Sequence, residues 1–417
     1  MMTICACEAV SADSLLVQPQ RSSTTIPLSE AMASLDQMLA EMSISTKTSN
    51  NKSYSVSSVN PIGRSSFIQT KSSTISPNIP DTLMYLVNFD DNNGFAVLAG
   101  DSRLGERVYC ITENGSIGAD DFAKALKYLE GQALMTKSCE ETDDSFVDIG
   151  TTFVPALLLS SMMADIEYGP EANDGTKAVE DIVQTYNQPL LSTKWKQGAP
   201  FNSLTPVDSD SGMHCPVGCT PLACAQIMQF CQKPSNPVFD GVNCSWATMG
   251  TVCTASDRFG YTATEEAKDQ VAHFLKHLGS KDYCNVSYAI DGSGASSSTV
   301  VKTLKSYNYK NVTMYTGFGL TNQGRASAML GAGLPVYISG FDFHNGGGHA
   351  WVIDGEWNGH FHCNWGWNGL WDGYFTKHNY FDFQYRRGYD SIDPGTTNSS
   401  MIGSSYDWNF RVITYSL

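Results

Sequence analysis

Two stretches far apart in this chain constrain its fold more than anything else it contains. One is Gly218-Cys219-Thr220-Pro221-Leu222-Ala223-Cys224-Ala225-Gln226-Ile227-Met228. The other is Gly347-Gly348-His349-Ala350-Trp351-Val352-Ile353-Asp354-Gly355, followed by His362-Cys363-Asn364-Trp365-Gly366-Trp367. The first reads as a thiol opening a helix, the second as a histidine opening one strand and an asparagine ending the next. A thiolate, a base and an orienter are what a cysteine nucleophile requires. A helix followed by strands is an α+β order, and the fold must carry the helix N-terminus onto the strands.

Cys219 follows Gly218, and Pro221 falls in the first helical turn, where its missing N–H is tolerated. A thiol there faces the positive end of the helix dipole, which favours thiolate. The competing reading is a small buried hydrophobe. His214, Cys215, Cys219, Cys224 and Cys231 also lie close together, but a continuous helix splays these thiols, which argues against structural zinc.

Residues 350–353 and 361–364 read as strands joined by the turn-rich segment 354–359. If that hairpin closes around Glu356 and Trp357, His349 lies opposite Asn364. The amide oxygen of Asn364 then accepts the imidazole N–H and leaves the other ring nitrogen for Cys219. A two-residue Asn358-Gly359 turn gives a different register. Asp354 is a rival orienter, and His344, His360 and His362 are rival bases. Gly346-Gly347-Gly348 favours His349, since glycine permits close backbone approach. Trp365 is placed to shield the histidine bond from water. An acyl-transfer site also needs oxyanion donors: the Cys219 amide is one candidate and the Gln197 side chain a second, the competing reading of a lone glutamine being a surface residue.

The formal charge of −16, with no basic run, argues against nucleic-acid partners. No stretch reaches the roughly 18 apolar residues of a membrane span, residues 153–163 being the longest candidate. Twelve cysteines, none paired as Cys-x-x-Cys, mostly sit in apolar patterns and are expected to be buried free thiols. Residues 1–12 lack the basic and long apolar regions of a complete signal peptide, and Cys7 is a conceivable lipid anchor.

At 417 residues the chain suggests two units. Residues 27–43 have helical spacing, 45–76 read as a Ser/Thr-rich connector, 84–89 and 95–99 as a hairpin, and 119–135 as a helix. Residues 137–188 carry acidic clusters and read as a polar connector, with an interdomain boundary and a maturation cut between about 165 and 190. Helices are expected over 219–232, 264–278 and 298–307, and strands thereafter. The division is 1–26 as an N-terminal segment or signal remnant, 27–180 as an N-terminal domain with connector, and 181–417 as the main domain.

Trp195-Lys196-Gln197-Gly198-Ala199-Pro200-Phe201-Asn202, the Gly218-Cys219 segment and the segment from Gly348-His349 through Trp367 together resemble the streptopain family of bacterial secreted cysteine peptidases in order and spacing. Asp291-Gly292-Ser293-Gly294-Ala295-Ser296-Ser297-Ser298 is similar to that family's loop beside the substrate cleft, and residues 27–135 resemble its propeptide. Thr220-Pro221-Leu222 departs from the family, which usually has smaller or β-branched residues there. The resemblance implies an α+β, papain-like catalytic domain made as a latent zymogen. It implies Cys219 as nucleophile, His349 as base, Asn364 as orienter, Gln197 as oxyanion donor and Trp365 as shield. Its substrates would be proteins or peptides, its propeptide an intramolecular inhibitor, and its location secreted or at the cell surface. No metal or organic cofactor is required. An acyltransferase or amidase, or a noncatalytic binding protein on the same fold, is the alternative.

Overall fold

The computed structural model of the protein describes residues 24–45, 54–67, 79–129, 147–168, 188–341, 347–377 and 409–417. The N-terminal half begins with α1 (Leu28–Ser45), which buries Ala31, Leu35 and Met38 at helical spacing. Next come β1 (Val56–Ile62) and α2 (Arg64–Phe67), where the sequence reads as a loose connector. That reading is corrected. As an edge strand with one neighbour, β1 needs few apolar side chains, and its Ser and Val residues suit an extended, half-exposed surface. The anticipated hairpin is present as β2 (Met84–Phe89) and β3 (Phe95–Ala99), both fully buried, and is followed by β4 (Val108–Thr112) and α3 (Ala119–Leu129).

The expectation of a polar connector over 137–188 is also corrected. Its middle is α4 (Val147–Tyr168), with Phe153, Val154, Leu157, Leu158, Leu159, Met162 and Met163 all buried. A helix buried on every side has no amphipathic period to betray it, and the acidic clusters on either flank dominate the composition. Asp165 is not at a free boundary. It is buried and accepts the Tyr109 hydroxyl at 2.7 Å and the Gly105 amide at 3.0 Å, tying α4 to the strands. Residues 169–187, where the maturation cut is expected, lie outside the described residues, as do residues 1–23 with Cys7.

The C-terminal half opens with α5 (Cys219–Cys231), the short pair β5 (Val238–Phe239) and β6 (Val242–Asn243), α6 (Trp246–Met249), α7 (Glu265–Gly279) and α8 (Ser297–Ser306). Thr264 caps α7 by accepting the Ala267 amide, and Ser296 caps α8 by accepting that of Ser298. β7 (Lys310–Thr316) is followed by α9 (Leu320–Gly331), where only strands were expected. Gly324 weakens its helical signal, and only a narrow stripe of Gln323, Ala326, Met329 and Leu330 is buried. The remaining strands are β8 (Val336–Phe341), β9 (Gly348–Trp357), β10 (His360–Asn364), β11 (Gly373–Thr376) and β12 (Arg411–Ser416).

Ten strands form one sheet in the order β1-β2-β3-β4-β11-β10-β9-β8-β12-β7, antiparallel at each pairing. The two halves of the chain meet where β4 pairs with β11, with Thr112 opposite Gly373 and Cys110 opposite Phe375. At Gly373 a side chain would collide with the Ile111 carbonyl, so glycine allows this close seam. Helix α5 packs on β8 and β9, which sets its N-terminus beside the start of β9. The α+β class expected from the order of elements is the one the protein has.

Candidate active site

Gly218 adopts φ 90°, a conformation that disfavours any residue with a Cβ, and its Cα faces the Ser293 carbonyl. An added Cβ would lie 3.0 Å from that oxygen. It thus turns the chain into α5 while letting the glycine-rich loop press close. Cys219 is the first residue of α5, and its sulfur is contacted by the Ala350 amide of β9 and by the Thr220 hydroxyl. The expected priming of the thiol by the helix start is outweighed here. Burial pushes the Cys219 thiol up from its ordinary value, and these hydrogen bonds only partly oppose the rise.

His349 opens β9, as the sequence suggests, but the hairpin closes in the other register. Trp357 pairs with His360 around the Asn358-Gly359 turn, both turn residues having positive φ, and Val352 pairs with Asn364. His349 lies opposite Gly340 of β8 instead. The imidazole Nε2 is 2.8 Å from the Trp365 carbonyl. A carbonyl only accepts, so Nε2 carries the proton and Nδ1 the lone pair. The ring is caged by aromatic groups, with Trp367 stacked at 4.5 Å, Trp351 nearly parallel at 6.0 Å and the Phe153 edge at 5.4 Å. Burial in this cage lowers the His349 pKa to about 4. With the thiol raised and the imidazole lowered, the proton stays on sulfur. Among the described hydrogen bonds, the ring is joined to Trp365 and not to Cys219.

Asn364 ends β10 as expected, yet its amide is engaged elsewhere. Its Oδ1 accepts Gln226 Nε2 at 3.1 Å and the Gly366 amide at 3.2 Å, and its Nδ2 donates to the Thr193 carbonyl at 2.9 Å. The predicted direct bond to His349 is therefore replaced by the Trp365 carbonyl, a consequence of the shifted register. Gln226 is fully buried on α5, seven residues beyond Cys219 and so on the same helix face, and its Oε1 accepts the Thr193 hydroxyl at 3.2 Å. The sequence carried that signal, an amide flanked by Ala225 and Ile227 in an apolar helix. Trp365 is completely buried, stacks with Trp367, packs tilted against Trp351, and donates its indole N–H to the Trp371 carbonyl at 3.0 Å.

Asp354 and His362, the rival orienter and rival base, pair with each other, Nδ1 to Oδ1 at 2.6 Å. Glu113 adds a carboxylate oxygen 3.4 Å from His362 Nε2. Burial alone would lower the His362 pKa, but Asp354 and Glu113 override it and raise the value to about 10, leaving an imidazolium. Lys194 joins Glu113 at 3.6 Å and Asp372 at 2.8 Å, and Asp372 accepts the Trp365 amide. This charged cluster, with Glu113 supplied by the N-terminal half, holds the β10–β11 region against β4 and is not joined to Cys219. His360 bonds to the Val108 and Asn358 carbonyls. His344 lies outside the described residues.

A cleft of about 580 Å³ runs past Cys219, Gln197, His349, Ala350 and Trp367 and is walled by residues 292–298, the predicted glycine- and serine-rich loop. The N-terminal half reaches this cleft at two points. Phe153 of α4 lies against His349, and Tyr128 of α3 sits so close to Gly347 that a side chain there would collide with its hydroxyl. Neither contact has a sequence signal, since each depends on docking of distant segments. The described cysteines, Cys219 among them, are free thiols. No helix among the described residues is long and apolar enough to cross a membrane.

Residues 195–375 match the model of the Peptidase C10 family. Streptopain of Streptococcus pyogenes serotype M28 is 26% identical over 331 residues, covering 70% of this chain and 73% of that protein. The thiol protease/hemagglutinin PrtT of Porphyromonas gingivalis is 29% identical over 322 residues, which is 71% of this chain and 34% of that protein. A solved prointerpain A fragment from Prevotella intermedia superimposes over 84% of this chain and 98% of its own, with a TM-score of 0.51 and 18% identity, a likeness of fold.

Proposed function

The chain carries a Peptidase C10 family domain and is a cysteine-type endopeptidase, and from that premise we propose that it is a latent zymogen. Cys219 is its nucleophile, His349 its base and the N-terminal half its inhibitor. The observation that carries this reading is that Cys219 and His349 line one cleft, with the Ala350 amide on the sulfur, while Phe153 of the N-terminal half packs on the imidazole.

Once the cage opens, the neutral imidazole turns its free Nδ1 to the thiol and takes the proton. The thiolate sulfur then attacks the peptide carbonyl carbon. The developing oxyanion meets the Cys219 amide and the Gln197 side chain, which borders the cleft. As the C–N bond breaks, His349 returns its proton to the leaving amine and a thioester remains. Water attacks that thioester, giving one proton to His349, and the sulfur leaves with it as thiol while the acid product departs.

Asn364, one residue before the Trp365 carbonyl that holds Nε2 in the latent state, is the acceptor we assign to the freed ring, and Trp365 covers that bond from water. The domain division at about residue 180 follows from the same reading, with release requiring a cut in 169–187. The likeness to streptopain supports export, which fractionation of producing cells would test.

The Cys219→Ala variant should neither cleave casein nor process itself, with both products followed by mass spectrometry. Retained cleavage by that variant would refute the assignment.

A further inference from the structure

The cleft contains a feature that peptide hydrolysis alone does not require. Among its described lining residues there is a single fixed charge, Arg411, and no Asp or Glu. In a chain of net charge −16 this is an unusual placement for a cation, and no described carboxylate forms an ion pair with it. The guanidinium is held by the two residues just before its strand, Nη1 donating to the Phe410 carbonyl at 2.9 Å and to the Asn409 side chain.

Its position relative to the nucleophile follows from the sheet. Ser339 of β8 is opposite Ala350 of β9 on one side and opposite Arg411 of β12 on the other. The row Ala350, Ser339, Arg411 therefore crosses three strands and begins where the Ala350 amide meets the Cys219 sulfur. Strand spacing of roughly 4.8 Å places the Arg411 backbone about 10 Å from that of Ala350. Ala350 and Ser339 are small, so the row forms a low floor between them. Hydroxyls line the route: Ser297 lies 2.8 Å from the Ser339 hydroxyl and 2.9 Å from that of Tyr337, and Ser293, Ser296 and Ser298 border the same cleft. A guanidinium with several hydroxyl donors and, among the described residues, no competing anion is a carboxylate receptor.

We propose that Arg411 is a specificity residue that selects substrates with an acidic side chain two or three residues from the scissile bond. That spacing is the number of extended residues, at about 3.3 Å each, needed to cover the floor. The inference rests on the peptidase reading of the same cleft and names the substrate class for it.

The test uses the self-processed enzyme and fluorogenic peptides that differ only by Glu, Gln, Leu or Lys at each of the three positions on either side of the cut. A Glu-to-Gln preference in kcat/KM of roughly ten- to a hundredfold at one position is expected, as for a charge-assisted hydrogen bond. It should weaken as salt is raised. Arg411→Gln should bring that ratio near one, Arg411→Lys should keep part of it, and Arg411→Glu should shift preference toward Lys. Peptides with free or amidated C-termini at the same distance separate the two sources of a carboxylate. Preference for the free terminus without preference for Glu would overturn the side-chain assignment. Turnover of all peptides with a Glu-to-Gln ratio of one, or a ratio unaffected by Arg411→Gln, would overturn this inference alone. Absence of turnover on every peptide would count against the peptidase reading itself.

Discussion

The ring of Phe153 stands edge-on to the imidazole of His349, centroids 5.4 Å apart and planes at 67°. One residue comes from the N-terminal half and the other opens the strand beside Cys219. The contact supplies part of the burial that keeps His349 neutral and turned to the Trp365 carbonyl.

Loosening that contact should expose the site before any cut is made. Phe153→Leu keeps most of the apolar volume, whereas Phe153→Ala would cost about 3 to 5 kcal/mol of core packing. With processing blocked by Gln197→Ala, Cys219 in the Phe153→Leu chain should react with a thiol-directed peptide electrophile roughly tenfold faster than in the Gln197→Ala parent. Peptide mass spectrometry reads the labelling, and equal rates would show that Phe153 does not guard the site.

Acid should weaken the latch. The folded-state pKa of His349, about 4, lies below its unfolded value near 6.5, so between these pH values the released ring binds a proton that the caged ring does not. Docking stability is therefore complete above about pH 6.5 and declines as the pH falls toward 4. In the Cys219→Ala chain, hydrogen exchange of α4, corrected for the intrinsic pH dependence, should lose protection between pH 7 and 5. Unchanged protection would contradict the caged, neutral imidazole.

The second histidine predicts the opposite slope. His362 has its pKa raised to about 10, above the unfolded value, so the native state holds a proton that the unfolded chain releases between roughly pH 6.5 and 10. Its stabilisation is full below about pH 6.5 and is lost as pH climbs through 10, an effect on the order of a few kcal/mol. Urea titrations of the Cys219→Ala chain should show midpoints falling from pH 7 to 9.5. Adding His362→Gln should flatten that fall, and an identical slope would rule out His362 as its source.

Gln226 ties α5, the helix that Cys219 opens, to the end of β10. Gln226→Leu leaves the Asn364 oxygen one donor short and deprives the Thr193 hydroxyl of its acceptor, at a cost of about 1 to 3 kcal/mol by denaturant titration. In the processed enzyme kcat should drop several-fold more than KM rises, because the side chain lies behind the reacting groups. A change confined to stability would mean that Gln226 only packs.

Much of the fold was readable because burial imposed a period. The stripe of α1, the short apolar runs of β2 and β3 around a turn-rich segment, and the helical spacing of α7 and α8 are local patterns that burial imposes on neighbouring residues. Where burial is all-round, as in α4, or slight, as in β1, no period exists and the sequence misleads. The hairpin at residues 357–360 was decided by the left-handed tendency of Asn358-Gly359, which selected the register that moved Asn364 away from His349.

The identity of the chemistry lies in the chain itself. A thiol after a positive-φ glycine at a helix start, and a histidine at a strand start beside small residues, are local devices whose backbone requirements the side chains state directly. What the residues do in this folded state was settled by docking. Whether His349 is a base or a buried neutral ring depends on Phe153, Trp367 and the Trp365 carbonyl, and whether His362 is charged depends on Glu113 and Asp354. Solvation and pairing act through space over a few ångströms, and groups far apart in the chain become neighbours only when the sheet closes across β4 and β11.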